Sequence, residues 1–437
     1  MNSLRHLALI FALSAPVLTL AQTVSQTLPN GLKIIVKEDR RAPVAVSQLW
    51  YKVGSVDEKQ GKSGLSHALE HMMFKGTPTV PAGEFSRRIS ALGGSDNAFT
   101  SRNETVYHQE FAVGSLPQVL ELEADRMVNL NFSDADFENE MKVIREERRL
   151  TTDNDPDGKM WEQINLNAYT KPENRAPVIG YEADLHTLKP EDLRQWYRAW
   201  YAPHNATLVI VGDVKAGEVL DNAEKLFGSL PDHPLPARND LIEPPQTANR
   251  SARSTAPVSS PVVGLAIQVP ALRKVDDKLP YALNMLADVL DGSMSARIER
   301  NLVRGRKVAV EASMGYDMLT RSPDVLLFSG TPAPNVKPEQ LTAAFLNEVR
   351  QIAEHGVSEE ELARVRNRSL AAREFGKDSM ETQATNIGSL ESAGFSYTDE
   401  DEIRRRRLAV SAEEVREAAR WLLAQKHTTV VLYPESK

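Results

Sequence analysis

Apolar and polar positions fall into short blocks along the chain, and most blocks predict an element. The β-branched run behind the turn signal Asn30-Gly31 reads as a strand, and residues 44–53 read as a second. Gly54-Ser55 then lead to residues 61–74, where Leu65, Leu69, Met72 and Met73 share one face of a helix. Residues 83–92 predict a short helix ended by Gly93-Gly94, and 96–101 and 105–111 predict strands around a polar turn. Residues 116–130 and 134–150 follow as helices, the second broken by Pro156-Asp157-Gly158.

Residues 191–200 form an amphipathic helix running into a strand at 206–213, and the same unit returns at 413–422 and 428–433. Arg194 and Arg416, like Thr207 and Thr429, are 222 residues apart, which points to an internal duplication. The aromatics of 191–201 sit at helical spacing and read as core. Between the halves, residues 231–255 are rich in proline and polar residues and have no apolar period. They read as a linker between domains at 22–230 and 256–437.

Composition narrows the class. At 437 residues, with 41 % hydrophobic and 26 % charged, the chain has ample material for two or three folded domains. Residues 1–21 carry one cation, Arg5, an apolar run and Thr19-Leu-Ala21, the pattern of a secretory signal peptide cut before Gln22. The run is short of the ~20 residues a membrane span needs, and an uncleaved anchor is the alternative. The absence of cysteine excludes disulfides, thiolate metal sites and a lipidated cysteine. Export without disulfides suits a bacterial periplasm. The net charge of −8 argues against nucleic acid as a partner.

The chemistry concentrates in His67-Ala-Leu-Glu70-His71. On a helix these three polar residues share a face opposite the apolar one. H-x-x-E-H is the inverted form of the H-E-x-x-H zinc motif: two imidazoles bind the metal, and a carboxylate one turn away can take a proton from bound water. A third protein ligand must come from elsewhere.

Helical geometry at ~100° per residue sorts the acids of 134–150. Glu140 and Glu147 interrupt the stripe formed by Phe137, Val143 and Ile144, whereas Glu138 and Glu146 face water. Carboxylates on a core-facing stripe need partners. Either they pair with arginines such as Arg126 or Arg88, or one binds the metal and the other supports it.

These motifs, together with Leu28-Pro-Asn-Gly-Leu-Lys33, Tyr51-Lys-Val-Gly54-Ser55-Val-Asp57-Glu58, Phe74-Lys-Gly76-Thr77, Asn97-Ala98-Phe99-Thr100-Ser101 and Val143-Ile-Arg-Glu146-Glu147-Arg148-Arg149, resemble the pitrilysin/insulinase family of zinc peptidases. Within it the chain is similar to short two-domain bacterial members and to the catalytic subunit of mitochondrial processing peptidase. The resemblance is strong in the first half and weak in the second.

It implies an α+β fold of two tandem, structurally similar domains, each a mostly antiparallel sheet with helices packed on it. It further implies one Zn2+ per chain held by His67, His71 and Glu147, with Glu140 in support and Glu70 as general base toward zinc-activated water. The implied activity is endopeptidase cleavage of extended or unfolded peptides, with Asn97, Ala98 and Phe99 on a substrate-pairing strand and Arg304 of the second half holding substrate. For Asn97 the alternative is a turn residue that caps its own backbone.

Val310 departs from the pattern, since tyrosine is expected there and Tyr316 is merely nearby. Paired members complete such a site with a zinc-less homologue, so a homodimer or a heterodimer of that kind is expected. A non-catalytic assembly or scaffolding subunit is the alternative function.

Overall fold

The computed structural model describes residues 23–435; the expected signal peptide, 1–21, lies outside them. In the first half, strands β1 (Thr23–Thr27), β2 (Lys33–Glu38), β3 (Val44–Tyr51), β4 (Ser95–Thr100), β5 (Thr105–Ala112) and β6 (Ala206–Gly212) form one sheet, ordered β1-β2-β6-β3-β5-β4. Only β2 and β6 run parallel. The helices of this half are α1 (Leu65–Met72), α2 (Glu84–Ala91), α3 (Leu116–Asn129), α4 (Asp134–Arg148), α5 (Pro156–Ala168), the single turns α6 (Pro172–Arg175) and α7 (Glu182–Leu185), α8 (Pro190–Trp200) and α9 (Ala216–Phe227).

The second half contains β7 (Arg250–Ala256), β8 (Val262–Val269), β9 (Ala309–Gly315), β10 (Asp324–Pro332) and β11 (His427–Pro434), ordered β7-β11-β8-β10-β9. Its helices are α10 (Leu279–Leu290), α11 (Pro338–His355), α12 (Glu359–Gly376), α13 (Met380–Ser392), α14 (Glu400–Ala409) and α15 (Ala412–Ala424). Here β7 and β11 are the parallel pair, so this sheet repeats the pairing of the first without β1. The fold is therefore α+β, with two similar mixed sheets. Among the described residues no helix is long and apolar enough to cross a membrane.

Three expectations need correction. β7 begins at Arg250, inside the stretch read as linker, because strands need only a pleated partner, and the run Arg-Ser-Ala-Arg-Ser-Thr-Ala supplies little apolar signal. Pro156 opens α5 rather than merely ending a helix: Asp155 caps it by accepting from the Gly158 amide, and proline costs nothing at the first helical position. Val143, placed on the apolar stripe of α4, is 52 % exposed, since that helix buries a narrower face through Phe137, Met141 and Ile144.

The two halves exchange helices. One face of the first sheet is covered by its own helices, α1, α2, α3 and α9 among them. The other face receives α13 from the second half, with Met380, Ala384 and Ile387 packed on Val46, Trp50 and Val209. Reciprocally, α5 of the first half covers the second sheet, with Met160, Ile164 and Ala168 against Ala266, Val325 and Val430. Double coverage explains why β6 is buried at every position.

Both contacts are close enough to demand glycine. A Cβ on Gly388 of α13 would lie 2.0 Å from the Trp50 ring, and one on Gly264 of β8 would lie 2.4 Å from Met160 Sδ. Charge reinforces the seam. The buried Asp57 carboxylate accepts from Arg321 of the second half at 2.6 Å and from Arg238 of the linker at 2.9 Å, while Lys33 of β2 pairs with Glu391 of α13 at 2.7 Å.

Gly388→Ala is expected to lower unfolding stability by about 1–3 kcal/mol through overpacking. Gly217→Ala on α9, where a Cβ meets nothing, should be neutral or stabilising by up to about 1 kcal/mol. Urea denaturation of the two variants checks the contrast.

Candidate metal centre

α1 is short, and its position is set by the chain before it. Gly64 caps it in the left-handed region (φ 89°), packed so that a Cβ would come within 2.9 Å of the Ile179 carbonyl. The buried Glu58 carboxylate accepts from the amides of Gly64 and Ser66 at 2.8 and 2.7 Å, where the helix leaves its first N–H groups free. Leu65, Leu69 and Met72 bury into the first core, which turns His67, Glu70 and His71 toward α4 and β4.

α4 meets them from the other side. Its start is fixed by a capping box between Ser133 and Asp136. Near its end, Glu147 brings one oxygen to 3.6 Å from His67 Nε2 and the other to 3.4 Å from His71 Nε2. One donor atom from each of these three residues lies within 4.8 Å of the others. The 3.4 and 3.6 Å approaches are long for hydrogen bonds but close to the edge of a tetrahedron with zinc–ligand bonds of about 2.0–2.2 Å, which is about 3.3–3.6 Å. Two imidazole nitrogens and a carboxylate oxygen are also a donor set that zinc favours, so the residues fit the ion.

The surroundings give each group a distinct protonation preference. Burial, aided by the neighbouring His71, pushes His67 down to about 4, which keeps it neutral and ready to donate a lone pair. Its Nδ1 is buried with no hydrogen-bond partner among the described residues. Burial also lowers His71, but the carboxylates of Glu147 and Glu140 outweigh it and the net shift is upward. Nδ1–H of His71 donates to Glu140 at 2.9 Å, which leaves Nε2 facing Glu147.

The adjoining His71 ring holds Glu147 below the usual carboxylate range. Glu140 is opposed by burial, yet hydrogen bonds from Lys75, at 2.5 Å, and His71 also bring it below that range. Burial raises Glu70, against a hydrogen bond from Thr100 Oγ1 at 2.5 Å.

Nothing in the sequence alone gives Lys75 or Thr100 a role in the site. Their signal was faint: Lys75 stands one turn beyond His71, and Thr100 falls on alternate strand positions from Ala98. Neither arginine considered for the acids takes part, because Arg126 pairs with Glu123 and Arg88 with Glu84.

The remaining site residues divide. β4 is an edge strand, bonded only to β5, and lies beside α1. Ala98 shares the face of Thr100, toward α1, whereas Asn97 and Phe99 point to the opposite face. There the Phe99 ring stands edge-on to Trp50 at 5.9 Å, and Asn97 Oδ1 accepts from the Ala98 amide at 2.9 Å. A one-residue alternation thus takes the Asn97 and Phe99 side chains away from His67 and His71.

Arg304 is not brought to the cluster either. Its guanidinium is held within the second half by the Met294 carbonyl and by Glu299 at 3.2 Å. Val310 is exposed on edge strand β9, and the Tyr316 hydroxyl donates to the Pro270 carbonyl at 2.6 Å.

Comparison with known proteins places this arrangement. Residues 33–180 match the model described as insulinase (peptidase family M16), and residues 187–369 match the peptidase M16 inactive domain. The zinc protease PqqE of Helicobacter pylori is 32 % identical over 346 residues, which cover 78 % of this chain and 77 % of that protein. The chain belongs to the insulinase family, M16.

Insulinase-family likeness extends over nearly the whole chain. An uncharacterized zinc protease of Bacillus subtilis, YmxG, is 24 % identical over 408 residues, 93 % of this chain and 97 % of that one. The crystal structure of a protease from Helicobacter pylori superposes with a TM-score of 0.89 at 28 % identity, covering 95 % of this chain and all of that one. Among the described residues of this M16 chain, the group of three donors that could hold a metal ion is His67, His71 and Glu147, within the span matched by the insulinase model.

Zinc binding should weaken between pH 7.5 and pH 5.5. His71, whose raised pKa favours its proton, must shed that proton to ligate, at increasing cost as pH falls; His67, pushed down to about 4, stays neutral across the window. Competition against a chromophoric chelator at several pH values measures this, and replacing His71 should abolish most of the dependence together with tight binding.

Proposed function

We propose that this chain is a zinc-dependent endopeptidase that hydrolyses peptide bonds of extended or unfolded peptides in the periplasm. The observation that carries the reading is the convergence of His67, His71 and Glu147 beside a buried carboxylate, Glu70, that belongs to none of the three donor contacts. The leader-like residues 1–21 support export. His67, His71 and Glu147 would hold the ion, and Glu140 would keep the His71 ring oriented through Nδ1.

When bound, zinc lowers the pKa of a coordinated water to about 7 and polarises a carbonyl oxygen. Glu70 supplies the proton acceptor. Its raised pKa lets the carboxylate retain a proton long enough to pass it to the departing amine, and Thr100 fixes one of its oxygens during the transfer. Backbone groups along the free edge of β4 can pair with an extended peptide without requiring a sequence, which favours unfolded substrates. Asn97 and Phe99 would then bear on the far face of that strand.

The reading includes a partner. Val310 occupies the position where a tyrosine is expected, and Tyr316 is already bonded within its own half. A second subunit, either another copy or a zinc-less homologue, would supply the missing group.

Glu70→Gln is expected to keep its zinc and to lose about 10²–10⁴-fold in kcat on an unstructured peptide. A zinc-loaded variant with undiminished turnover would end the catalytic reading. For the partner, size measurement with mass identification of co-purified chains should find a dimer; a fully active monomer would count against it.

A further inference from the structure

Arg148 follows Glu147 at the point where α4 widens into a π turn, Arg149–Asp153. Its guanidinium is buried and reaches three separate segments. It donates to the Gly180 carbonyl at 2.7 Å, to Asp153 at 3.1 Å and to Glu162 of α5 at 2.8 Å. Gly180 lies back to back with Gly64, the cap of α1: a Cβ on Gly180 would stand 2.8 Å from Gly64 Cα. Glu162 is buried as well, on the helix that closes the second sheet.

One side chain therefore joins the carboxylate's helix end, the loop against the histidine helix and the helix lent to the other half. A buried, hydrogen-bonded ion pair registers the elements it joins more than it adds net stability. Arg148 and Glu147 are adjacent on one turn, so fixing the first limits how far the second can rotate.

We propose that Arg148 is a positioning residue that sets the Glu147 carboxylate against the two imidazoles, and that through Glu162 it makes zinc retention depend on how α5 is seated on the second sheet. The proposal rests on the metal reading above. The half that supplies no ligand then tunes the affinity of the half that does.

The test is zinc competition against a chromophoric chelator on metal-stripped full-length protein, with thermal unfolding of the same metal-free samples. Arg148→Met combined with Glu162→Met removes both charges at similar volume. It should weaken zinc binding ten- to a hundredfold while the metal-free unfolding temperature holds, as for other groups that orient metal ligands. Unchanged affinity in the double variant overturns the proposal.

If the double variant unfolds early, Arg148→Lys decides, since an ammonium keeps the charge but cannot span all three acceptors. Wild-type affinity there is equally fatal, and weakened binding supports the proposal. Met160→Ala, which loosens α5 where it meets Gly264, should cost several-fold in the wild-type background and nothing further in the double variant. Equal losses in both backgrounds would overturn the coupling through Glu162. A wild-type chain that takes up no zinc ends the metal reading itself, an outcome distinct from zinc-binding wild type beside a double variant of equal affinity.

Discussion

A sheet has two faces, and each half of this chain covers only one with its own helices. The second face of each is apolar, Val46, Trp50 and Val209 on one and Ala266, Val325 and Val430 on the other, and burying those surfaces is worth about 25 cal/mol per Å2. The exchange of α5 and α13 satisfies both at once. It also fixes the relation of the halves more firmly than a surface ion pair could, because Gly388 and Gly264 let the exchanged helices approach to contact distance. The metal centre inherits this constraint, since α4 passes into α5 through a single turn.

Within the centre, burial distinguishes residues that are chemically alike. Two histidines one helical turn apart shift in opposite directions, because His67 meets mainly desolvation while His71 also meets two carboxylates. The acids separate likewise: Glu147 and Glu140 are held below the usual carboxylate range by hydrogen bonds from His71 and, for Glu140, Lys75, whereas at Glu70 burial outweighs Thr100 and the nearby His71 and pushes it up. One short helix and one longer one thereby bring together imidazoles and carboxylates of distinct protonation preference from the same few side-chain types.

The sequence disclosed what local periodicity can carry. The spacing of His67, Glu70 and His71 puts them on one helical face, and the same geometry singles out Glu140 and Glu147 without any tertiary contact. The repeat at 222 residues pointed to two similar sheets. What stayed hidden is non-local. Nothing in α5 or α13 announces which sheet it will cover, and the charged edge strand β7 resembles a linker because its partner β11 lies far along the chain. Thr100 and Lys75 acquire meaning only when β4 and α4 are brought to α1. The sidedness of Asn97 and Phe99 turned on a one-residue alternation that a motif does not encode.

Residues 231–249 cross between the halves without regular structure, held by side chains such as Arg238 and Asn239 rather than by a backbone ladder. A proteolytic nick there would sever the polypeptide without parting the particle, because neither fragment could leave without exposing the groove its borrowed helix fills. By the same logic, the two fragments made as separate polypeptides would be obligate companions.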